Sequence, residues 1–378
     1  MVRRTLAACG AFAALAVTLG LTSVPAQAAP LVPVAEADGV VVPGEYIVTT
    51  RPGAVTVAAD AGVAVLHRYE HALHGFAARL DDRQLRALRR DKDVLAIEPN
   101  QVVHALTTQT PTPNWGLDRI DQRALPLNNQ YTFTSTGTGV TAYVIDTGIQ
   151  PTHPEFAGRA VIGYDATGGN GIDCNGHGTH IAGIIGSATY GVAKRVRLSA
   201  VRVLNCTGSG TIAQVIAGVN WVQANSPGPA VANMSLGGGS SAAMNTAVNN
   251  LAASGVFVAV SGGSSGSDAC NFSPSGASGA FAVSATDRND NAASFNNFGR
   301  CIKMCAPGVL ITSTWLNGGS ATLSGTSMAN PHVAGVAAMY KQVAGDQSSP
   351  TVAAWLLRTA TPIPPTSCSG LLLYTGGL

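Results

Sequence analysis

Gly139-Val140-Thr141-Ala142-Tyr143-Val144-Ile145-Asp146-Thr147-Gly148 reads as an apolar strand that ends in a carboxylate and then a glycine. The run lacks the alternation of a half-exposed strand. Both of its faces are therefore expected to be covered, as in a mainly parallel sheet with helices on either side. In such sheets chemistry collects at the carboxyl ends of strands, where Asp146 falls. The plainer reading of this stretch alone is an aspartate that caps a turn.

Two further stretches change that balance. Asn175-Gly176-His177-Gly178-Thr179-His180-Ile181-Ala182-Gly183 sets a histidine between glycines, ahead of small and apolar residues at helical spacing. His177 and His180 are three apart and would share a helix face, which raises a metal pair. No HExxH pattern or acidic ligand accompanies them, so His177 as a general base, with room left by its glycine neighbours, is the better reading. Ser324-Gly325-Thr326-Ser327-Met328-Ala329-Asn330-Pro331-His332-Val333-Ala334-Gly335 reads as a loop that turns into a helix at Ser327. Gly325 is expected to allow a close backbone approach, and Pro331 suits a first helical turn. A serine there could be an ordinary N-cap. It would also lie beside unpaired N–H groups and the positive end of the helix dipole, a place that favours an oxyanion. A serine hydroxyl needs a base, and the base needs an acid to fix its tautomer. Asp146, His177 and Ser327 supply those roles in one chain order.

Charged residues make up only 11% of the 378, hydrophobic ones 46%, and glycines number 44, which describes a compact chain with many turns. The net charge of +2 gives no nucleic-acid footprint. Arg3-Arg4, an apolar run from Leu6 to Leu21 and Ala26-Gln27-Ala28 together read as a secretory signal cut after Ala28, so residues 1–28 are expected to be removed and the protein exported, with no membrane anchor. Of seven cysteines Cys9 leaves with that signal, and the six that remain favour disulfides over metal, with fifteen pairings open.

Residues 29–106 differ from the rest. Strand-like runs at 43–48, 75–80 and 94–97, and a helix capped by Asp81, make a small α+β unit near the lower limit of independent stability. Thr107 to Asn114, rich in Thr and Pro, reads as a linker into a catalytic body, 107–378.

The stretches VIDTGI, NGHGTHIAG and GTSMANPHVAG resemble the three signature segments of the subtilisin superfamily, and WGLDRIDQRALPL, YGVAKRVRLSAVRVL, VANMSLGGG and ASFNNFG resemble its proteinase K branch. The likeness runs from about Asn114 to Tyr374, and residues 29–106 resemble the family's inhibitory propeptide. It implies a three-layer α/β/α fold preceded by a ferredoxin-like propeptide, and a secreted serine endopeptidase acting through an acyl-enzyme. The substrate backbone would lie between Ser235-Leu236-Gly237 and Gly208-Ser209-Gly210, and Ser261-Gly262-Gly263 would wall the primary specificity pocket. The same likeness implies Cys174–Cys206 and Cys270–Cys301 bridges and leaves Cys305 and Cys368 open, either as a third bridge or as two thiols. It also implies a structural calcium at Asp287 with the Ser278 and Ala280 carbonyls, no catalytic cofactor, and a monomer whose partners are a polypeptide or acyl substrate and its own propeptide.

Three departures stand out. The span 54–62 is short for the propeptide's first helix. Asn330 stands where the family has threonine. Ser264 stands where the family has the asparagine whose amide binds the oxyanion, leaving the Ser327 N–H as the other donor. Loss of such a donor costs about 10²–10³ in turnover. That leaves an esterase or ligase on this fold, or a pseudo-protease that binds through the old cleft, as alternatives to a protease with a weakened oxyanion hole.

Overall fold

The computed structural model describes residues 30–36, 41–71, 73–101, 107–364 and 368–378. The expected signal segment and residues 102–106, just before the expected cut, lie outside them. The chain divides into two compact units, one containing Tyr46–Glu98 and the other Pro99–Leu378.

The first unit runs β1 (Val41–Thr50), α1 (Val57–Asp60), β2 (Val65–Tyr69), β3 (Gly75–Arg79), α2 (Asp82–Leu88) and β4 (Val94–Gln101). Its sheet order β2-β3-β1-β4 is the ferredoxin-like arrangement. The short span 54–62 yields one helical turn, α1, and no more. Asp81 caps α2 as expected: its Oδ1 accepts the Gln84 N–H at 2.7 Å, while Gln84 Oε1 accepts the Asp81 N–H at 3.0 Å. The core is small, built on Val48, Val57, Phe76, Leu88 and Ile97.

The second unit is organised by a nine-stranded sheet. Its strands are β5 (Thr141–Asp146), β6 (Ala160–Asp165), β7 (Arg197–Arg202), β8 (Ala230–Met234), β9 (Phe257–Ser261), β10 (Phe281–Thr286), β11 (Ile302–Pro307), β12 (Thr361–Pro362) and β13 (Leu371–Leu372), in the order β12-β13-β11-β10-β9-β8-β5-β7-β6. All neighbours pair in parallel except β12 with β13 at one edge. Successive residues of β5 go to opposite cores. Ala142 and Val144 pack with α3 (His177–Gly186), α6 (Thr326–Ala344) and α7 (Ser349–Thr359). Tyr143 and Ile145 pack with α4 (Ile212–Ala224) and α5 (Ala242–Ala253). This explains the unbroken apolar run: a strand buried on both faces has no polar side to show.

From β5 the chain first runs to the sheet edge at β6, returns to β7 between β6 and β5, and then crosses to β8 on the other side. The order therefore reverses between β5 and β8. A crevice opens there beyond the carboxyl ends, at Asp146 and just past Met234.

Residues 107–114 are not the free linker that their composition suggested. Thr107–Gln109 pairs antiparallel with Tyr131–Phe133, and Asn114 caps a short helix, Trp115–Ile120, by accepting the Gly116 N–H at 2.8 Å. Threonine suits a strand as readily as a loop once a partner is present.

Candidate active site

Asp146 closes β5 and is fully buried. Its Oδ1 lies 2.7 Å from His177 Nδ1 and accepts the Thr147 N–H, also at 2.7 Å, while its Oδ2 has no partner among the described residues. His177 is the first residue of α3 and keeps about a quarter of its side chain exposed (26%). The flanking glycines do not leave room for the ring; other parts of the chain fill that space. Gly176 takes φ +104° against the Trp315 ring, and a Cβ on Gly178 would fall 2.1 Å from the Gly148 carbonyl. Only glycine tolerates either position.

A residue that the sequence reading passed over organises this corner. Asp173, itself buried, accepts through Oδ1 from the Thr147 hydroxyl at 2.9 Å and from the Asn175 and Gly176 N–H groups at 2.9 and 3.0 Å. Through Oδ2 it accepts from the Thr179 N–H and hydroxyl, at 2.9 and 2.6 Å. It therefore fixes both the start of α3 and the residue after Asp146. The Cys174–Cys206 disulfide ties the same segment to the loop that carries Gly208-Ser209-Gly210. Burial alone would lower the His177 pKa. The charge and hydrogen bond of Asp146, with the Asp173 charge behind them, override it and raise the pKa above the ordinary 6.5.

His180, by contrast, is a core residue. It is buried, with Nε2 3.0 Å from the Ala321 carbonyl, and burial with the neighbouring His177 lowers its pKa to about 4. No group of three metal-capable side chains occurs among the described residues, so the pair forms no metal site there.

Ser327 is the second residue of α6, whose N-terminal end lies beside the crevice. Its N–H has no acceptor among the described residues. Its hydroxyl donates to the Ser235 carbonyl at 3.3 Å, and Ser235 Oγ donates back to the Ser327 carbonyl at 3.0 Å. Asn233 and Asn330, both buried, direct their amides at Ser235 Oγ from 3.0 and 3.4 Å, which occupies its lone pairs and leaves its hydrogen for Ser327. Asn330 thus acquires a structural role. Pro331 falls in the second turn of α6, since the helix begins at Thr326, earlier than expected. Having no N–H, Pro331 leaves the Ser327 carbonyl free to accept from Ser235. Gly325 makes only ordinary contacts at its Cβ position; the close approach belongs to Gly308, where a Cβ would meet the Gly325 carbonyl at 2.8 Å.

Among the described residues no hydrogen bond joins Ser327 to His177. They line adjoining cavities, of about 330 Å³ and 530 Å³ respectively, that share Leu236, Gly237 and Gly238. The larger contains Gly208, Ser209, Gly210 and Ser235. The smaller contains Ser261, Gly262, Gly263 and Ser264. Every residue expected along the substrate path therefore borders one of the two. Asn297, far away in sequence, holds the smaller cavity's wall: it accepts the Ser265 and Ser267 N–H groups at 2.9 and 3.1 Å and donates to the Gly262 carbonyl at 3.0 Å.

The three disulfides are Cys174–Cys206, Cys270–Cys301 and Cys305–Cys368. Asp287 folds back on its own turn. Its Oδ1 accepts the Asn289 and Asn291 N–H groups, both at 2.9 Å, and its Oδ2 accepts the Asn291 amide at 3.0 Å. Oδ2 keeps one lone pair, a thin basis for a cation that takes six to eight oxygens.

A family model described as the subtilase family matches residues 137–371, and one described as peptidase inhibitor I9 matches residues 46–106. An extracellular serine proteinase of Thermus sp. (strain Rt41A) is 52% identical over 305 residues, 80% of this chain and 74% of that protein. Proteinase R of Parengyodontium album is 42% identical over 341 residues, 87% of each chain. The crystal structure of a cold adapted subtilisin-like serine proteinase superposes with a TM-score of 0.68 at 48% identity, covering 70% of this chain and 99% of that one. A likeness of that extent, over a parallel sheet with its crevice at the β5/β8 reversal, shows that the chain belongs to the subtilase family and is a serine-type peptidase.

Proposed function

We propose that Asp146, His177 and Ser327 are the acid, base and nucleophile of a secreted endopeptidase. The observation that carries this is the 2.7 Å bond from His177 Nδ1 to the buried Asp146 carboxylate, which leaves Nε2 as the proton acceptor. Ser327 Oγ gives its proton to Nε2 as it bonds to the substrate carbonyl carbon. The oxyanion that forms is met by the Ser327 N–H and the Ser264 hydroxyl. Collapse breaks the C–N bond, His177 returns the proton to the leaving amine, and water then releases the acyl group by the same route. In the bond pattern described, the Ser327 hydroxyl is turned to Ser235; rotation about its Cα–Cβ bond redirects it, and such bonds commonly tighten only with substrate present.

Substrate lies extended between Ser235-Leu236-Gly237 and Gly208-Ser209-Gly210, with one side chain in the cavity walled by Ser261-Gly262-Gly263. The working unit is a monomer. Residues 1–28 direct export, residues 29–106 inhibit and assist folding, and the mature chain begins near Thr107; the inhibitor-family match and the extracellular relative favour this course. No helix among the described residues is long and apolar enough to cross a membrane. A calcium at Asp287, Ser278 and Ala280 would be at most a weak structural accessory, since the Asp287 carboxylate is already turned on its own loop, and catalysis proceeds without a cofactor. Family membership favours a peptidase over the esterase, ligase and pseudo-protease alternatives.

A fluorophosphonate probe tests the nucleophile. Labelling at Ser327, lost in Ser327→Ala and accompanied by casein cleavage, is the expected result. An unlabelled, folded protein overturns the proposal, and labelling with ester turnover alone returns the esterase.

A further inference from the structure

Thr326 immediately precedes the nucleophile and is 1% exposed. Its Oγ1 accepts the Gly263 N–H at 3.2 Å and lies 3.3 Å from Ser264 Oγ. Between two hydroxyls the direction of donation is open, and burial decides it. If Ser264 donated, the Thr326 hydrogen would be buried with no other acceptor among the described residues, the costly outcome for a polar group. Ser264 is exposed, and its own hydrogen can be left unpaired by protein without penalty. The favoured order runs from the Gly263 N–H to Thr326 Oγ1, and from the Thr326 O–H to Ser264 Oγ. The Ser264 hydrogen then remains uncommitted on the wall of the cavity that also holds Ser327.

We propose that Thr326 is a positioning residue that makes Ser264 a donor to the oxyanion. The inference rests on reading Ser264 as the oxyanion group. A freely turning serine can present a lone pair to a developing negative charge as readily as a hydrogen. A serine already accepting from Thr326 presents its hydrogen, and the linked donors polarise one another. No proton changes owner. The backbone beneath is held too: Asn297 donates its N–H to the Gly263 carbonyl at 2.9 Å and its side-chain amide to the Gly262 carbonyl at 3.0 Å, and accepts the Ser265 N–H at 2.9 Å.

The test is a cycle of Thr326→Val, Thr326→Ser, Ser264→Ala and the Val/Ala double variant, reading kcat and KM on a peptide amide beside the thermal midpoint. Thr326→Val should lower kcat about tenfold or more with KM little changed, since an oxyanion donor acts in the transition state. Thr326→Ser should restore the rate, and valine should cost nothing further once Ser264 is alanine. An equal loss from valine in the alanine background overturns the proposal, because Thr326 would then act without Ser264. A normal rate for Thr326→Val beside a slowed Ser264→Ala overturns it while sparing the Ser264 reading. An unchanged rate for Ser264→Ala overturns both. If Thr326→Val is unstable, Thr326→Ala replaces it in the same cycle.

Discussion

Around His177 the contacts are carboxylates to donors: Asp146 at 2.7 Å, and Asp173 holding five donors between 2.6 and 3.0 Å. Around Ser327 and Ser264 they are hydroxyls to carbonyls and to each other, at 3.0 to 3.3 Å. Charge-assisted bonds are shorter and about twice as strong as neutral ones. His177 is therefore held in place before any substrate arrives, whereas the hydroxyls of Ser327 and Ser264 still have to turn to the roles proposed for them. On the mechanism proposed above, the acyl-transfer half is therefore expected to limit the rate, and the acid–base half to set the pH at which the rate appears.

The largest effect should come from breaking the stronger half. Asp146→Asn would leave the imidazole in the wrong tautomer and lower kcat by about 10⁴, the magnitude seen when the orienting carboxylate of a serine protease is neutralised. A loss below tenfold would show that the buried pair is structural. Next, strengthening the weaker half with Ser264→Asn should raise amide hydrolysis by roughly ten- to a thousandfold; an unchanged rate would place the oxyanion elsewhere.

The third prediction concerns pH. Because the His177 pKa is raised, the neutral base appears only as pH climbs through a value above 6.5, so the acid limb of kcat/KM should have its midpoint there. Asp173→Asn should move that midpoint down, and a limb at or below 6.5 in the unaltered protein would contradict the argument. Stability carries two signs. The raised His177 contributes stability that is fully present below 6.5 and lost as pH rises through its folded value. Burial lowers both His180 and His332 to about 4, so the unfolded chain takes up their protons first and stability falls as pH drops from 6.5 toward 4. The thermal midpoint should fall across that window by less in a folded His332→Gln variant. The smallest effect is expected from EDTA: kcat unchanged and a thermal midpoint moved by a few degrees at most, about what a weak one-carboxylate site yields. A collapse of activity would make calcium part of the site.

The first unit, too, was legible where its signals were local. Asp81 reads as a helix cap and forms one, with Gln84 completing a capping box, and the short span before β2 gives the single turn of α1. Thr107–Gln109 was misjudged because its partner strand lies more than twenty residues away.

For the second unit, the sequence by itself determined the apolar strand ending at Asp146, the need for glycine around His177 and, to within a residue, the helix start beside Ser327. Each is a local demand, on burial, on backbone dihedrals or on unpaired N–H groups, and so is written in adjacent residues. Tertiary structure decided the rest. Asp173 reaches Thr147, Asn297 holds a loop some thirty residues away, and Asn233 and Asn330 converge on one serine hydroxyl. Hydrogen-bond partners buried together are chosen by packing, and the number of residues between them carries no trace of that choice.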